Sequence, residues 1–302
     1  MDGIGLYRGN VYRKSLYGAF GPTRSACSWW RNNVAFHIQR RTRTNIQSIE
    51  KTKRMTTQFP YLLTIITVVR NAASEIECTL QSIASLKSAH IQYIVLDGGS
   101  TDGTQEIIQR YAHIIDYWHS RSDLGIYHAL NSAIHLAKGA FILTINAGDR
   151  LLAFPQEALQ EALKKELDLV CFSVMTEDEQ IAIPVWNGDL RLYNTLPHQG
   201  CCYHSRLFEQ YRYDIRYHVY GDFDLNQRLF LAKTKAQVFP EIIAYHDLQG
   251  VSNDSKFASE MLNVVRRNLG LTGLLFSWLY FKKAGLKLRW HRLQNRLRLF
   301  FS

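Results

Sequence analysis

Cysteine is scarce in this chain, and its arrangement excludes two classes of protein. The five cysteines are odd in number, and none shows a C-x-x-C spacing. Neither a disulfide scaffold nor a zinc site is therefore indicated, and we expect a reducing, cytosolic compartment. A secretory signal core is also absent. The uncharged stretch between Arg267 and Lys282 has 14 residues, which is shorter than the roughly 20 residues of a membrane-spanning helix.

Acidic side chains are almost missing from both ends of the chain. Residues 1–59 hold 11 basic and 2 acidic residues, and residues 264–302 hold 9 basic and no acidic residues. Since the whole 302-residue chain has a formal charge of +10, its middle is acidic. A protein that coats nucleic acid should carry basic charge across its folded body. We therefore expect no nucleic-acid partner.

The charge pattern divides the chain into three parts. Residues 60–263 form the predicted globular domain. Residues 1–59 are interpreted as a basic extension, either a disordered or targeting arm or an upstream artefact with Met55 as the true start. Residues 264–302 interleave Lys and Arg with Leu, Trp and Phe, which is typical of an amphipathic helix on an anionic membrane surface. The alternative for this last segment is a helix that packs on its own domain or on a partner.

Short apolar runs alternate with helical patterns through the middle of the chain. This alternation predicts an α/β fold with a mostly parallel sheet, helices on both faces, and sites at the carboxyl ends of the strands. We expect Ser74 and Asp102 to cap two of the helices and Gly139 to end a third. The predicted strands are 62–69, 93–96, 114–118, 141–145, 167–174 and 242–245.

Two common nucleotide-binding loops are also absent, since neither G-x-G-x-x-G nor G-x-x-x-x-G-K occurs. Instead, Asp97 closes a predicted buried strand and is followed by a Gly-Gly-Ser turn. A flexible turn of this kind lets a ligand approach the backbone. A carboxylate that ends a buried strand needs a partner. We therefore predict that Asp97 contacts a ligand.

Two further groups of carboxylates are candidates for chemistry. Asp149 ends the turn that begins at Asn146, where a carboxylate could hold a hard divalent ion together with a substrate diphosphate; a plain turn is the alternative. Asp222 and Asp224 stand two residues apart at the start of a predicted helix, whose dipole is expected to keep them ionised. One of these two carboxylates could cap the helix while the other serves as a general base, or both could only cap.

Five segments in this order resemble family 2 glycosyltransferases of the GT-A fold. They are DGGSTDGT at 97–104, SDLGIYHALN at 122–131, NAGD at 146–149, PHQGCCYH at 197–204 and GDFDL at 221–225. The likeness is greatest to the branch that builds bacterial surface polysaccharides. It covers about residues 61–253 and leaves both charged ends unexplained.

The resemblance implies a donor site. Asp97 then contacts the base of a nucleotide sugar, Asp123 contributes to the nucleotide-sugar pocket, and Asn71 lies beside that pocket. The segment from Asn146 to Asp149 resembles a variant of the family's metal motif, so Asp149 becomes the ligand of Mn²⁺ or Mg²⁺ and Asn146 a donor-site residue. The first Asp of the usual motif is absent, which puts strict metal dependence in doubt.

The resemblance also implies the catalytic and acceptor groups. Asp222 aligns with the family's Glu-Asp motif as the base, but its preceding acid is missing, so the role could fall to Asp224. His198 and Gln199 are assigned to the acceptor side, and His246 to a diphosphate or metal. For each histidine a structural role is the alternative. A tryptophan before this segment, Trp186, could stack on a sugar, although an isolated aromatic is usually part of the core.

The implied function is an inverting transfer from a UDP-, GDP- or dTDP-sugar to a hydroxyl of a lipid-linked or polysaccharide acceptor. The enzyme would act in the cytoplasm, peripherally on the inner face of the cell membrane, with residues 264–302 at the membrane surface. Two alternatives remain open. A nucleotidyltransferase acting on a sugar phosphate could share the sheet and the metal carboxylate, and a degenerate transferase domain could serve only as a binding module.

Overall fold

A computed structural model describes residues 59–248 and the helix at 258–300, with side chains up to Lys283. The basic extension predicted over 1–59 lies outside the described residues, apart from Phe59. The strands are β1 Tyr61–Val69, β2 Ile91–Asp97, β3 Tyr117–Ser120, β4 Gly139–Thr144, β5 Arg150–Leu151, β6 Leu169–Thr176, β7 Ile181–Ala182, β8 Cys201–His204 and β9 Ala236–His246. The helices are α1 Ile76–Ala84, α2 Thr104–Arg110, α3 Ile126–Leu136, α4 Gln156–Lys164, α5 Gly221–Leu231 and α6 Ala258–Phe300.

The strands of the described part form one nine-stranded sheet. Their order is β3-β2-β1-β4-β8-β6-β9-β5, and β7 pairs with β6. Strands β1 to β4 pair in parallel, as do β6 and β9, whereas β8 runs antiparallel between β4 and β6. Two reversals at β8 leave β9 pointing the same way as β1 and β4. The predicted mostly parallel sheet is therefore confirmed.

Helices cover both faces of the sheet because successive side chains of a buried strand point in opposite directions. On β1, Leu63 and Ile65 join one core cluster, and Ile66 and Val68 join the other. Helices α1, α2 and α4 pack into the first cluster. Helices α3, α5 and α6 pack into the second. The β-branched and apolar runs read as buried strands are thus the centre of a three-layer α/β structure.

Two local predictions are wrong, and backbone hydrogen bonds explain both. The strand predicted at 114–118 is found at Tyr117–Ser120, because residues Ala112–Ile114 form a 3-10 turn. Ser74 does not cap α1, whose N-cap residue is Glu75. The amides of Glu75 and Ile76 instead donate to the carbonyl of Ala72 at 3.1 and 2.9 Å.

The other two predicted helix ends are shifted by one or two residues. Gly103 occupies the N-cap position of α2 with φ 99°, while Asp102 Oδ1 accepts from the amide of Thr104 at 3.1 Å. Helix α3 ends at its C-cap Ala137, so Gly139 is the first residue of β4 rather than the helix stop. A Cβ at Gly139 would stand 2.5 Å from the amide nitrogen of Thr64. Glycine is needed there for the close approach of two strands.

The last helix, α6, begins before the predicted domain boundary at 264. Val264 and Val265 are buried in the second core cluster, so that boundary falls inside a helix that packs on the domain. A kink at Gly270, with φ 70° and ψ −164°, interrupts the helix. Beyond the kink, Ser277 is buried and donates to the carbonyl of Leu192 at 2.9 Å. Within residues 59–248 and 258–300 we find no helix that is both long and apolar enough to cross a membrane.

Candidate active site

An open cavity of about 540 Å³ lies at the carboxyl edge of the sheet. Because β1, β4 and β9 point the same way, the loops after these strands meet there, and the start of α5 completes the wall. The predicted site residues that line the cavity are Asn71, Asp123, Asn146, Asp149, His198, Gln199, Asp222 and His246. Asp97 and Asp224 do not line it. The fold thus brings together eight residues that lie far apart in the sequence.

Asp149 lies at the centre of a buried hydrogen-bonded group. His246 Nδ1 lies 2.8 Å from Asp149 Oδ1, which also accepts from the amide of Asp247 at 3.1 Å. Gln199 Nε2 donates to Asp149 Oδ2 at 2.9 Å. Burial lowers the pKa of His246, but the hydrogen bond and the charge of Asp149, with the charge of Asp247, outweigh it and raise that pKa overall.

Oxygen atoms beside this group suit a hard cation. Asn146 Oδ1 and Gln199 Oε1 are buried without a hydrogen-bond partner among the described residues. Amide and carboxylate oxygens are the ligands that Mg²⁺ and similar ions prefer. The described residues contain no group of three His, Cys, Asp or Glu side chains that could hold an ion. The site therefore fits an ion that takes other ligands from water or substrate, as Mg²⁺ does at phosphate sites.

Asp222 lies in the first turn of α5 and is 7% exposed. Its Oδ2 accepts from Asn194 Nδ2 at 3.0 Å, and its Oδ1 lies 3.5 Å from the hydroxyl of Tyr127. Burial raises the pKa of Asp222, although the charge of His198 and the hydrogen bond from Asn194 act in the opposite direction. The helix dipole, which is expected to keep this carboxyl ionised, is thus opposed by desolvation. Desolvation outweighs the dipole at this position.

Asn71 and Asp123 line the same cavity as Asp222. Asn71 has φ 50°, and its Oδ1 accepts from the amide of Thr101 at 3.0 Å. Asp123 Oδ1 accepts from the amide of Gly125 at 2.8 Å. A Cβ at Gly98 would stand 2.8 Å from Asp123 Oδ2, so glycine leaves room for this carboxylate. The turn after β2 is therefore shaped around Asp123.

Asp97 is 1% exposed and holds this same turn. Its Oδ2 accepts from the amides of Gly99 and Ser100 at 3.1 and 2.9 Å and from Ser120 Oγ at 2.5 Å, and its Oδ1 accepts from Ser100 Oγ. Both carboxylate oxygens thus accept hydrogen bonds from the protein, which supplies the partners that a buried carboxylate requires. The contact of Asp97 with a nucleobase stays a prediction.

The family model described as "Glycosyl transferase family 2" matches residues 64–229, which include β1 to β4 and most of the cavity wall. The chain belongs to glycosyl transferase family 2. The expected resemblance is confirmed, and this protein is a glycosyltransferase with the GT-A fold.

Relatives of this glycosyltransferase include a PGL/p-HBAD biosynthesis glycosyltransferase of Mycobacterium bovis (strain BCG / Pasteur 1173P2). It is 28% identical over 231 residues, which are 71% of this chain and 89% of that protein. A protein of Bacillus subtilis (strain 168) with the name "Putative teichuronic acid biosynthesis glycosyltransferase TuaG" is 28% identical over 131 residues, 40% of this chain and 51% of that protein. The crystal structure of S. aureus TarS 1-349 in complex with UDP shares the fold with a TM-score of 0.55 at 14% identity, over 68% of this chain and 64% of that chain.

Asp224 has a different environment in this glycosyltransferase from that of Asp222. It is 1% exposed, accepts from Arg228 Nε at 2.8 Å, and accepts from Asn268 Nδ2 of α6 at 3.1 Å. Both of its carboxylate oxygens are thus occupied, and it does not line the cavity. The geometry favours Asp222 over Asp224 as the base.

Two predicted residues remain, His198 on the acceptor side and Trp186 as a possible stacking partner of a sugar. Burial lowers the pKa of His198, although the charges of Asp222 and Asp149 oppose the shift. Its Nε2 lies 3.0 Å from the hydroxyl of Tyr213. Trp186 does not line the cavity and packs edge-to-face on Phe230 at 5.3 Å, in accordance with its alternative role in the core.

Sequence reasoning missed Tyr127 and Asn194, which both contact Asp222. Tyr127 stands within the SDLGIYHALN segment and could have been found there, whereas nothing in the sequence marks Asn194. The structure also explains the missing acid before Asp222. A Cβ at Gly221 would stand 2.7 Å from the ring of Tyr127, so no side chain fits at that position.

Proposed function

We propose that this enzyme transfers a sugar from a nucleoside-diphosphate sugar to a hydroxyl of a lipid-linked or polysaccharide acceptor, with inversion, in the synthesis of a cell-surface glycan. One observation carries the proposal: the buried carboxylate of Asp222 and the Asp149 group line the same cavity. The names of relatives support the pathway class, since they refer to PGL/p-HBAD and teichuronic acid biosynthesis. The complex of TarS with UDP supports a nucleotide donor, and we expect a UDP-, GDP- or dTDP-sugar.

The charge of the cavity supports a metal-assisted donor site. Its lining includes five acidic residues and one arginine, Arg70. A diphosphate entering this site meets carboxylates, and a divalent cation would offset that repulsion. We assign Mn²⁺ or Mg²⁺ to Asp149, with Asn146 and His246 beside it. A metal here supplies Lewis acidity that stabilises the departing nucleoside diphosphate. The acidic lining residues are Glu75, Asp123, Asp149, Asp222 and Asp247.

In this proposal Asp222 is the general base. Ionised Asp222 takes the proton of the acceptor hydroxyl while the hydroxyl oxygen attacks the anomeric carbon. One new C–O bond forms as the bond from that carbon to the diphosphate oxygen breaks, and a single displacement of this kind inverts the configuration. Burial raises the pKa of Asp222 and thereby makes its ionised form a stronger base. Asn194 donates to the carboxylate, and the hydroxyl of Tyr127 accepts from the backbone amide of Asp222.

The remaining assignments concern the acceptor. His198 and Gln199 are buried, line the cavity and are kept as acceptor-side residues. On α6, large apolar side chains beyond Gly270 face solvent: Leu271 is 72% and Phe276 is 63% exposed. Lys282 and Lys283 follow on the same helix. An apolar surface next to basic charge is what an anionic membrane surface attracts, which supports peripheral attachment to the cytoplasmic face of the membrane.

The first experiment follows the products of turnover. We expect the enzyme, given Mn²⁺, a nucleotide sugar and a membrane glycolipid extract, to release nucleoside diphosphate and to label the glycolipid. Release of pyrophosphate from a nucleoside triphosphate and a sugar phosphate would instead identify a nucleotidyltransferase. If Asp222→Asn left the cellular polysaccharide unchanged, the chain would be a binding module.

A further inference from the structure

Helix α6 lies outside the family match at 64–229, yet its N-terminal part packs against α5, the helix that carries the proposed catalytic base. Met261, Val264 and Val265 share the second core cluster with Phe223 and Leu229 of α5. Helix α6, which follows the family match, is therefore in apolar contact with α5, the helix that carries Asp222.

One carboxylate of α6 binds the loop that leads into α5. Glu260 Oε1 accepts from the amide of His218 at 2.9 Å, and Oε2 accepts from the amides of Val219 and Tyr220 at 2.9 and 3.2 Å. His218 Nδ1 also lies 3.0 Å from Oε1. Three consecutive backbone amides just before a helix thus share one side-chain acceptor. Amides at this position have no partner within the helix itself.

Glu260 is held in the ionised state that this arrangement needs. Partial burial raises the pKa of Glu260, but hydrogen bonds from the amides of Val219, His218 and Tyr220 outweigh it and lower that pKa overall. Its side chain is 13% exposed. A charged acceptor with little access to water holds its donors more strongly than an exposed one.

The loop held by Glu260 also touches the residues around Asp222. The carbonyl of Val219 accepts from the hydroxyl of Tyr127, which in turn accepts from the amide of Asp222 at 3.3 Å. His218 and Val219 line the cavity beside Asp222. A displacement of residues 218–220 would therefore move Asp222 and the cavity wall together.

We infer that Glu260 is a positioning residue, which fixes the carboxylate of Asp222 by holding residues 218–220 against α6. Asn268 adds a second contact from α6 to the first turn of α5, through Asp224. This role rests on the proposed function, because it requires Asp222 to be the base. It makes α6 part of the catalytic unit in addition to any membrane contact.

Glu260→Gln tests the inference. The amide replaces one acceptor oxygen with an NH₂ group, which opposes the backbone amides it now faces. We expect kcat to fall by about tenfold to 100-fold, the range expected for a base displaced by up to 1 Å. The donor KM should stay within about twofold of wild type, because a lost transition-state contact lowers kcat alone. Glu157→Gln, an exposed carboxylate in the first turn of α4, is the matched control and should behave as wild type.

Two additional variants separate the outcomes. Asn268→Ala removes the second contact and should lower kcat to a smaller extent; it carries the test if Glu260→Gln does not fold. Folding is checked by binding of nucleoside diphosphate with Mn²⁺. A folded Glu260→Gln enzyme with wild-type kcat, beside an inactive Asp222→Asn enzyme, would overturn the positioning role alone. Wild-type activity of Asp222→Asn would overturn the base and the positioning role together.

Discussion

The two carboxylates of the first turn of α5 differ in their surroundings although they stand two residues apart. Asp224 is bonded to Arg228, whereas the carboxylate of Asp222 accepts from the neutral amide group of Asn194 and lines the cavity. Burial therefore raises the pKa of Asp222. A carboxylate in this environment is a better proton acceptor and, when ionised, a source of instability in the folded protein.

Asp222→Asn should remove activity and stabilise the protein at neutral pH. General-base catalysis contributes about 10² to 10⁴ in rate, so we expect kcat to fall by at least about 100-fold. Since the folded pKa is raised, the folded state binds more protons, and stability falls as the pH rises from the unfolded pKa through the folded pKa. Above that window the variant lacks the destabilising charge. Wild-type and variant melting curves at pH 4 and pH 8 and a kcat assay check both effects; a lower melting temperature at pH 8 would contradict the account.

Gly221→Ala should damage the site by overpacking. The new Cβ would stand 2.7–2.8 Å from three ring atoms of Tyr127, and overpacking of a core costs about 1–3 kcal/mol. We expect a lower melting temperature and a lower kcat. Gly188→Ala is the control, because its Cβ would meet nothing within 4 Å. Equal melting temperatures and rates for the two variants would show that Tyr127 does not fill this space.

Individual site residues differ in how far the sequence could predict them. Asp149 and Asp222 follow from local patterns, since each is a carboxylate at the end of a strand or the start of a helix. The contact between Gln199 and Asp149 joins residues 50 positions apart and depends on the sheet order. Neither the raised pKa of Asp222 nor the enclosure of Asp97 could be predicted, because both depend on burial by distant segments.

At the scale of elements, hydrophobic periodicity placed the strands and helices that have a buried face. The failure at residues 114–118 has a physical cause, because Ile114 and Ile115 pack on the first core cluster from a turn rather than from a strand. An apolar run in the sequence does not show whether its residues pack on the core from a strand or from a turn. The start of α6 was also missed, since Met261, Val264 and Val265 are buried in the core while Leu271 and Phe276 beyond the kink are exposed.

The part of α6 that follows the kink at Gly270 gives a prediction about membranes. Phe276→Ser combined with Leu279→Ser removes two exposed apolar side chains. Burial of such a side chain contributes about 1.5–3 kcal/mol, so binding to vesicles with anionic lipid should weaken by at least about tenfold. Val238→Ser, which changes an exposed apolar residue of β9, is the control. Cosedimentation that is equal for all three proteins would show that this face of α6 does not bind the membrane.

At the scale of the whole molecule, charge separates the ends from the catalytic domain. The ends are strongly basic, while the cavity lining is mainly acidic. In the proposed transfer an anionic donor binds in this acidic cavity, which requires a cation to make that binding favourable. This requirement links the oxygen atoms around Asp149 to the chemistry of the leaving group. It is also the claim on which the proposed transfer depends most directly.

Thermal shifts of wild type and Asp149→Ala, measured with nucleotides in the presence and absence of Mn²⁺, test whether donor binding requires a cation at Asp149. The panel is UDP, GDP, dTDP, CMP, ATP and NAD. A ligand at 100 times its Kd stabilises by about 2.7 kcal/mol, which for a domain of this size raises Tm by about 5–10 °C. The account predicts such a shift with one nucleoside diphosphate, only with Mn²⁺ and only in wild type. No shift with any nucleotide, or equal shifts without metal and in Asp149→Ala, would contradict it.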